Sequence, residues 1–581
     1  YFSIYYRKMG IKFISVTSLI IDKWLKLLMK YWENKDRWEG VALKLEKINI
    51  KHYRSIENVT LTLPHNKPLV LFGPNNAGKS NILSAINRII GERYPTYIEM
   101  LESDYFKRNQ NEYPTSQISA KFSEPLYCDK WGNSYDVISV SYGHDGQANN
   151  NLFHDGTGKK IYPSNEQRSA CQSYLIDAER NIQSAFNYSS SYSLLSKFSK
   201  KIHEALSSEH KDELSEAFEQ ITSSFEETDE FSSFFKQFSE SLKGAVKGFV
   251  HSLAVDFSAY DPNNYAKSLR IYAKEGENIR GFEEFGTGEQ QVLLMAFVKA
   301  YMEVFTSENF VLIIEEPEAH LHPLAQRWLK EYIIEMCSSG IQVILSTHSS
   351  EFVDAEYLDG LVRIHKEGGV TQAIQLSAQQ LCDFCISSGV SENRISPENI
   401  VDFYSTKLFL DQLKGMFAET IILVEGATEY FALPIYLKRI GYSLAEHGTE
   451  IINCRGKDAI PLYWRLFKAY GYNCYAIFDC DKNDTQTRKI FNDIFHEESW
   501  NMEPGNCIVQ DSYTYFGKDF ESYLRNSIPD YDSIEQRIST DYNIISKPGK
   551  AKAVAQHIEE VPQFIEDISK KLEIIEMLGQ D

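Results

Sequence analysis

The stretch FGPNNAGKS, residues 72–80, constrains this chain more than any other. Gly73, Gly78, Lys79 and Ser80 fill every fixed position of G-x-x-x-x-G-K-[ST]. It follows the apolar run PLVLF and precedes NILSAINRII, which has helical spacing. Strand, glycine loop, helix is the setting in which backbone N–H groups and a helix N-terminus together cradle phosphates. A nucleotide site is therefore expected at Gly73, Asn76, Gly78, Lys79 and Ser80. Lys79 would reach the β- and γ-phosphates of ATP, and Ser80 would ligate its Mg²⁺.

The same period-2 alternation that marks half-buried strands runs through LKLEKINIKHYRSIENVTLTL, upstream of this loop. Between about residues 190 and 250 the pattern changes. Leu194, Phe198, Ile202 and Leu206 recur every fourth position, then Leu214, Phe218, Ile221 and Phe225, then the phenylalanines from Phe231 to Phe238. These spacings predict amphipathic helices inserted into the first domain. They would serve either as a pairing surface or as a lobe packed on its own chain. From about residue 415 a second β/α alternation begins with TIILVEG and continues through TEIINC and NCYAIFDCD, predicting a second parallel sheet.

With 581 residues the chain needs more than one core. It carries 60 Lys+Arg against 81 Asp+Glu, a net charge of -21, which excludes a general basic DNA coat. A local groove, or bound metals, would have to supply positive charge for any nucleic acid. The nine cysteines form no secreted disulfide framework, so the chain reads as intracellular and cytoplasmic. Cys382 and Cys385 make a single C-x-x-C without the second pair a zinc site needs. The N-terminal MGIKFISVTSLIIDKWLKLLMKYW is interrupted by Lys12, Asp22, Lys23 and Lys26. It is expected to be an amphipathic helix contacting the body or a partner, not a membrane span.

Three further elements suit ATP. FVLIIEEPEAHLHP ends an apolar strand in Glu315 and Glu316, placing two acids where parallel sheets face their ligands. Glu315 would serve the Mg²⁺ shell and Glu316 the attacking water. EFGTGEQQ offers Gly286, Gly288 and Gln290 before a helix, a second phosphate-cradling terminus. QVILSTHSS delivers His348 to the same sheet edge, where a γ-phosphate sensor would stand.

A second constellation lies downstream. Glu425 ends the strand TIILVE, and Glu429 follows one helical turn later. Asp479 and Asp481 end the strand CYAIFDCD, and alternation sends both to one face. Four acids at one sheet edge are an oxygen-rich site for Mg²⁺ or Mn²⁺. Their mutual repulsion makes sense with cations present.

The ATP elements resemble the ABC-type ATPase heads of the SMC/RecF group, above all the OLD (overcoming lysogenization defect) branch. In that group two heads sandwich ATP, and a loop like GTGEQ acts on the nucleotide held by the opposite subunit. Here that loop is not LSGGQ, and Glu315 stands where many relatives have Asp. The segment EAHLHP is structural in the family, which argues against zinc at His320 and His322. The LVEG…DCD pattern resembles a Toprim domain, as in topoisomerases, primases and OLD nucleases. The resemblance implies that an acidic pair and a lysine complete a two-metal site. Asp519, Glu521 and Lys547 match by position, with Lys550 the alternative to Lys547.

The implied fold class is α/β: an ABC-type ATPase head with a helical insertion, followed by a C-terminal Toprim domain. The expected boundaries are an extension over 1–40, ATPase parts over 41–185 and 256–400, the insertion over 186–255, and the Toprim domain over 415–581. The implied function is an ATP-regulated, metal-dependent DNA endonuclease in anti-phage defence. The implied cofactors are ATP and Mg²⁺, with Mn²⁺ as a substitute. Implied partners are DNA, a second copy or higher homo-oligomer, and either a helicase, as in Gabija, or a retron reverse transcriptase with its msDNA. Catalysis would fall to Glu425, Asp479, Asp481 and Lys547, with Glu316 at the ATP site. Two rivals remain: an ATP-dependent DNA clamp or scaffold, and a Toprim topoisomerase or primase.

Overall fold

A computed structural model describes residues 43–127, 134–144, 149–177, 194–229, 233, 236, 272–275, 278–281, 284–305, 309–480, 485–500, 503 and 505–578. The N-terminal extension, the phenylalanines of 231, 234, 235 and 238, and Asp481 lie outside them. The described residues form two compact units, one drawn from 179–308 and the other from 42–178 and 309–581.

The larger unit begins with an antiparallel sheet. Its strands are β1 (Leu45–Tyr53), β2 (Ile56–Thr62), β4 (Thr115–Tyr127), β5 (Ser134–His144), β6 (Asn149–Asp155) and β7 (Lys160–Ile161), in the order β2-β1-β4-β5-β6-β7. β1 and β2 bury alternate residues, as the sequence pattern requires of strands with one solvated face. The second sheet has the order β14-β13-β3-β12-β11-β8. Here β3 is Leu69–Phe72, β8 Cys171–Ile176, β11 Asn309–Glu315, β12 Gln342–Thr347, β13 Leu361–Glu367 and β14 Val370–Gln375. Pairing is parallel throughout except for the β13–β14 hairpin. β3 is central and wholly buried, which is why LVLF is continuously apolar. It feeds the P-loop and helix α1 (Lys79–Ile90), whose Ile82, Leu83, Ile86 and Ile89 pack between the two sheets.

The third sheet, with the order β16-β15-β17-β19-β18, carries the second domain. β15 (Thr420–Val424), β16 (Thr449–Asn453), β17 (Asn473–Asp479) and β19 (Tyr513–Phe516) are parallel, and β18 (Cys507–Val509) is antiparallel to β19. Its apolar core joins Ile422, Val424, Leu433, Phe516, Phe520 and Val554.

The smaller unit holds the two helices expected of the insertion, Leu194–Ala205 (α2) and Ser208–Glu226 (α3). It also holds a hairpin of β9 (Tyr272–Glu275) and β10 (Asn278–Gly281), and helix α4 (Thr287–Phe305). Phe198 and Phe297 meet edge-on, with ring centroids 5.6 Å apart, which ties α2 to α4. The helix that GTGEQ opens thus packs with the first of these helices.

Candidate functional site

The P-loop is built as its residue types demand. Gly73 and Gly78 have φ of 144° and 110°, in the region that favours glycine. A Cβ at Gly73 would lie 2.0 Å from the Ile364 carbonyl oxygen, and one at Gly78 would lie 2.1 Å from Thr371 Oγ1. Both obstructing residues belong to the β13–β14 hairpin, which walls the loop. Lys79 is buried and donates to the carbonyls of Gly73 at 3.0 Å and Pro74 at 2.9 Å. Burial pushes its ammonium down to about 8, against the opposing pull of Glu316, Glu318 and Glu315. Ser80 is exposed and its hydroxyl donates to Glu315. The two groups expected to share a Mg²⁺ therefore already face each other. Asn76 accepts from Lys366 Nζ at 3.2 Å.

Glu316 follows the end of β11 with φ of 47°, an uncommon conformation for a residue with a side chain. Its N–H donates to the Ser346 carbonyl at 2.9 Å, which holds it there. His348 Nε2 lies 3.5 Å from Glu316 Oε1. Burial, then the Lys79 charge, lowers the His348 pKa, with Glu316 opposing. The sequence reading missed Glu318. It accepts from the His348 N–H at 2.6 Å and from Thr347 Oγ1 at 2.9 Å. Burial raises its pKa, and these hydrogen bonds resist the rise. It therefore orients the segment that carries His348. The third acid of EEPE was the available signal. His322 caps helix Pro323–Ser338 (α5) by accepting from the Leu324 N–H at 3.3 Å, a structural use. Cys382 and Cys385 are buried on helix Ala378–Ser387.

The GTGEQ loop lies in the smaller unit, where it opens α4. Glu289 accepts from the Gly286 N–H at 3.3 Å, and Gln290 donates to the Phe285 carbonyl at 2.9 Å. Gly288 is the second residue of the helix.

The second site is assembled at the C-terminal edge of the third sheet. Glu425 follows β15 and accepts from the Asp479 N–H at 3.2 Å. Glu429, on helix Ala427–Arg439 (α6), folds back to accept from the Gly426 N–H at 3.2 Å and is 4% exposed. Asp479 ends β17 and accepts from the Phe520 N–H at 3.0 Å. That bond brings helix Phe520–Ser527 (α8) against the strand end. Glu521, on α8, is buried and pairs with Lys547 Nζ at 2.9 Å. Lys547 is the first residue of helix Lys547–His557 (α9). Lys550 turns instead toward Glu535 at 3.8 Å, so Lys547 is the lysine beside the acids.

Asp519, the N-cap of α8, also interacts with the Lys547 charge. Its two oxygens accept from the Ser522 N–H and hydroxyl, each at 2.8 Å, and cap α8. Glu521, two residues on, pairs with the same lysine. Gly456, which the sequence reading also missed, has φ of 141° and donates to the Glu425 carbonyl at 2.8 Å. It fixes the loop after β16 against the acid-bearing turn.

The carboxyls act on one another electrostatically. Burial, then Glu521 and Glu425, pushes the Glu429 carboxyl up to about 7. Burial, then Glu429, Glu425 and Glu521, holds Asp479 well above the usual carboxylate range. Lys547 is raised because Glu521 outweighs the effect of burial. Among the described residues no three His, Cys, Asp or Glu side chains are spaced to hold a metal ion as they stand. The donor set still fits a hard divalent cation: it is all carboxylate oxygen, and its members raise one another's pKa.

Comparison with known proteins agrees with both halves. Residues 105–353 match the AAA ATPase domain family, and residues 416–481 match the overcoming lysogenization defect protein-like TOPRIM domain. The second match spans Glu425, Glu429, Asp479 and Asp481. The chain is 24% identical over 469 residues to a protein named OLD nuclease from Thermus scotoductus, covering 77% of this chain and 84% of that one. It is 24% identical over 309 residues to the Old nuclease of Escherichia phage P2, covering 52% of this chain and 49% of that protein. It therefore spans about half the length of the phage relative. Among solved structures, an SMC head bound to the C-winged helix domain of ScpA aligns with a TM-score of 0.37 and 19% identity, covering 57% of this chain and 97% of that one. The chain carries an AAA ATPase domain and an OLD-like TOPRIM domain, and both imply the use of nucleotide and divalent metal in general. Among the described residues no helix is long and apolar enough to cross a membrane.

Proposed function

We propose that this chain, an ATPase domain joined to an OLD-like TOPRIM domain, is a divalent-metal-dependent DNA endonuclease controlled by ATP. One observation carries the reading: Glu425, Glu429, Asp479 and Glu521 converge on one sheet edge, with Lys547 paired to Glu521. The names of the two relatives support a nuclease.

Glu425, Glu429, Asp479 and Glu521 would hold Mg²⁺ or Mn²⁺. Asp481, two residues after Asp479 in the sequence, would join them. The metals would supply an activated water and stabilise the leaving 3′ oxygen. The protein residues have separate tasks. Hydrogen bonds from Phe520 and Gly426 aim Asp479 and Glu429. Lys547, exposed and cationic, would neutralise charge building on the phosphate. A four-carboxylate site repels DNA until cations fill it, so cutting by this acidic chain would require metal.

The ATP site has every group for binding, and the arrangement of Ser80 and Glu315 suits Mg²⁺. We read ATP as a switch that sets the geometry of a pair of heads, in a homodimer or larger assembly. Anti-phage defence is the setting that the resemblance to OLD proteins suggests, with a helicase or a retron reverse transcriptase as a partner.

The test is a gel assay of supercoiled and linear DNA with Mg²⁺ or Mn²⁺, with and without ATP, beside Asp479→Ala. Metal-dependent nicking or linearisation, lost in the variant, is expected. Cutting that survives in Asp479→Ala would sink the site assignment. No cutting in any lane would favour the clamp or scaffold reading.

A further inference from the structure

The β13–β14 hairpin touches both functional halves of the larger unit. Ile364 and Thr371 wall the P-loop, where Thr371 Oγ1 also donates to the Ala77 carbonyl at 2.9 Å. Their neighbours Arg363 and Ile374, which face each other across the hairpin, press on a turn of the Toprim domain. That turn is Tyr470–Tyr472. It joins helix Ile460–Ala469 (α7) to β17, the strand that ends in Asp479.

The grip on this turn is close. Arg363 is buried and donates from Nη1 to the Tyr470 carbonyl at 2.9 Å. Its guanidinium lies 3.8 Å from the centroid of the Tyr472 ring. Gly471 has φ of 73°, and a Cβ there would lie 2.9 Å from Ile374 Cδ1 and 3.4 Å from Arg363 Nη1. Tyr470 donates in turn to the Leu358 carbonyl at 3.3 Å, just before β13. Phe72, the last residue before the P-loop, pairs in register with Arg363 and meets the Tyr470 ring edge-on at 6.2 Å. A buried planar cation that both stacks and donates tolerates little displacement.

We infer that Arg363 is a positioning residue through which occupancy of the P-loop reaches Asp479. A nucleotide that shifts the Gly73–Gly78 loop displaces Ile364 and Thr371. The hairpin's ladder transmits that displacement to Arg363 and Ile374. These move the root of β17, about 20 Å along the strand from Asp479. Packed elements of this kind pass small shifts as discrete repacking. This rests on the reading of ATP as a control on the acid site.

The test does not depend on cutting. Hydrogen exchange of the 473–480 segment is measured in the full chain with and without a non-hydrolysable ATP analogue, with Mg²⁺ constant in both arms. A change in exchange of about 5- to 150-fold, the usual size of coupling between sites, is expected in the wild type. Arg363→Met should bind the analogue as the wild type does, yet lose that change. Arg363→Lys, which keeps the charge without the planar stack, should give an intermediate response and serves if Arg363→Met does not fold. A wild-type segment indifferent to the analogue, or variants that respond fully, would overturn the inference. Failure of the nuclease reading would show only in the gel assay, so the two outcomes are separable.

Discussion

The two sites of the larger unit balance charge in opposite ways. At the P-loop one buried lysine sits among three glutamates, and Lys79 donates to the loop's own carbonyls. Ser80 and Glu315 satisfy each other, as do Glu318 and the His348 N–H. At the Toprim edge the acids raise one another's pKa, and Lys547 pairs with Glu521. Added positive charge would lower those raised values. On the proposed reading a nucleotide would replace contacts that Lys79 and Ser80 make within the protein, whereas a metal would relieve repulsion between carboxylates.

The sharpest way to break this contrast is Asp479→Asn, which keeps the shape and removes one charge. Cutting should fall by about three orders of magnitude, since metal stabilisation of the transition state is worth several kcal/mol. Nucleotide binding should be unchanged. Turnover on plasmid and binding of a fluorescent ATP analogue check the two halves. A matching loss of ATP binding would show that the sites are not separable. The reciprocal change, Lys79→Ala, should weaken ATP binding by about 100-fold, the loss of a charge-assisted contact to phosphate. Metal binding at the acids, measured by calorimetry without nucleotide, should persist.

A smaller effect concerns stability. The folded-state pKa of Glu429 is raised to about 7, above its ordinary value of 4.5. The folded protein therefore favours the protonated form. Stability from this group is fully present below about pH 4.5 and is lost as pH rises through 7. At pH 8 without metal, ionised Glu429 costs on the order of 3 kcal/mol. Glu429→Gln should raise the melting temperature of the metal-free protein at pH 8 and weaken its response to Mg²⁺. A variant that melts lower than wild type in EDTA would refute the self-repelling picture.

What was legible in the sequence follows the same division. Short apolar runs that end in a glycine turn, such as LVLFG and TIILVEG, read as buried parallel strands because a strand buried on both faces has no polar side to show. Glu425, Glu429 and Asp479 followed from strand ends and one helical turn. The choice between Lys547 and Lys550 did not, because two lysines three residues apart on one helix look alike until each meets its acid, Glu521 for one and Glu535 for the other. Thr371 and Ile364 were invisible for another reason. They close the P-loop from nearly 300 residues away, through a hydroxyl and a backbone carbonyl that no motif encodes. Arg363 is hidden likewise, since its partners are a carbonyl and a ring. Local chemistry was readable, and the contacts that wall and join the sites were not.

The mildest prediction probes the balanced site by its one weak point. Burial lowers the Lys79 pKa to about 8, while triphosphate would raise it by pairing with the ammonium. The protonated lysine binds phosphate, so ATP binding takes up a proton whenever the free lysine is neutral. The sign follows: affinity is flat below about pH 8 and falls as pH rises through the free-state pKa, at up to about tenfold per pH unit. It levels off above the raised pKa of the bound state. Calorimetric titration with ATP from pH 7 to 9.5, in buffers of differing ionisation enthalpy, measures both the affinity and the proton uptake. A flat profile with no uptake would mean that the three glutamates hold Lys79 charged throughout, and that the P-loop is balanced more completely than its burial suggests.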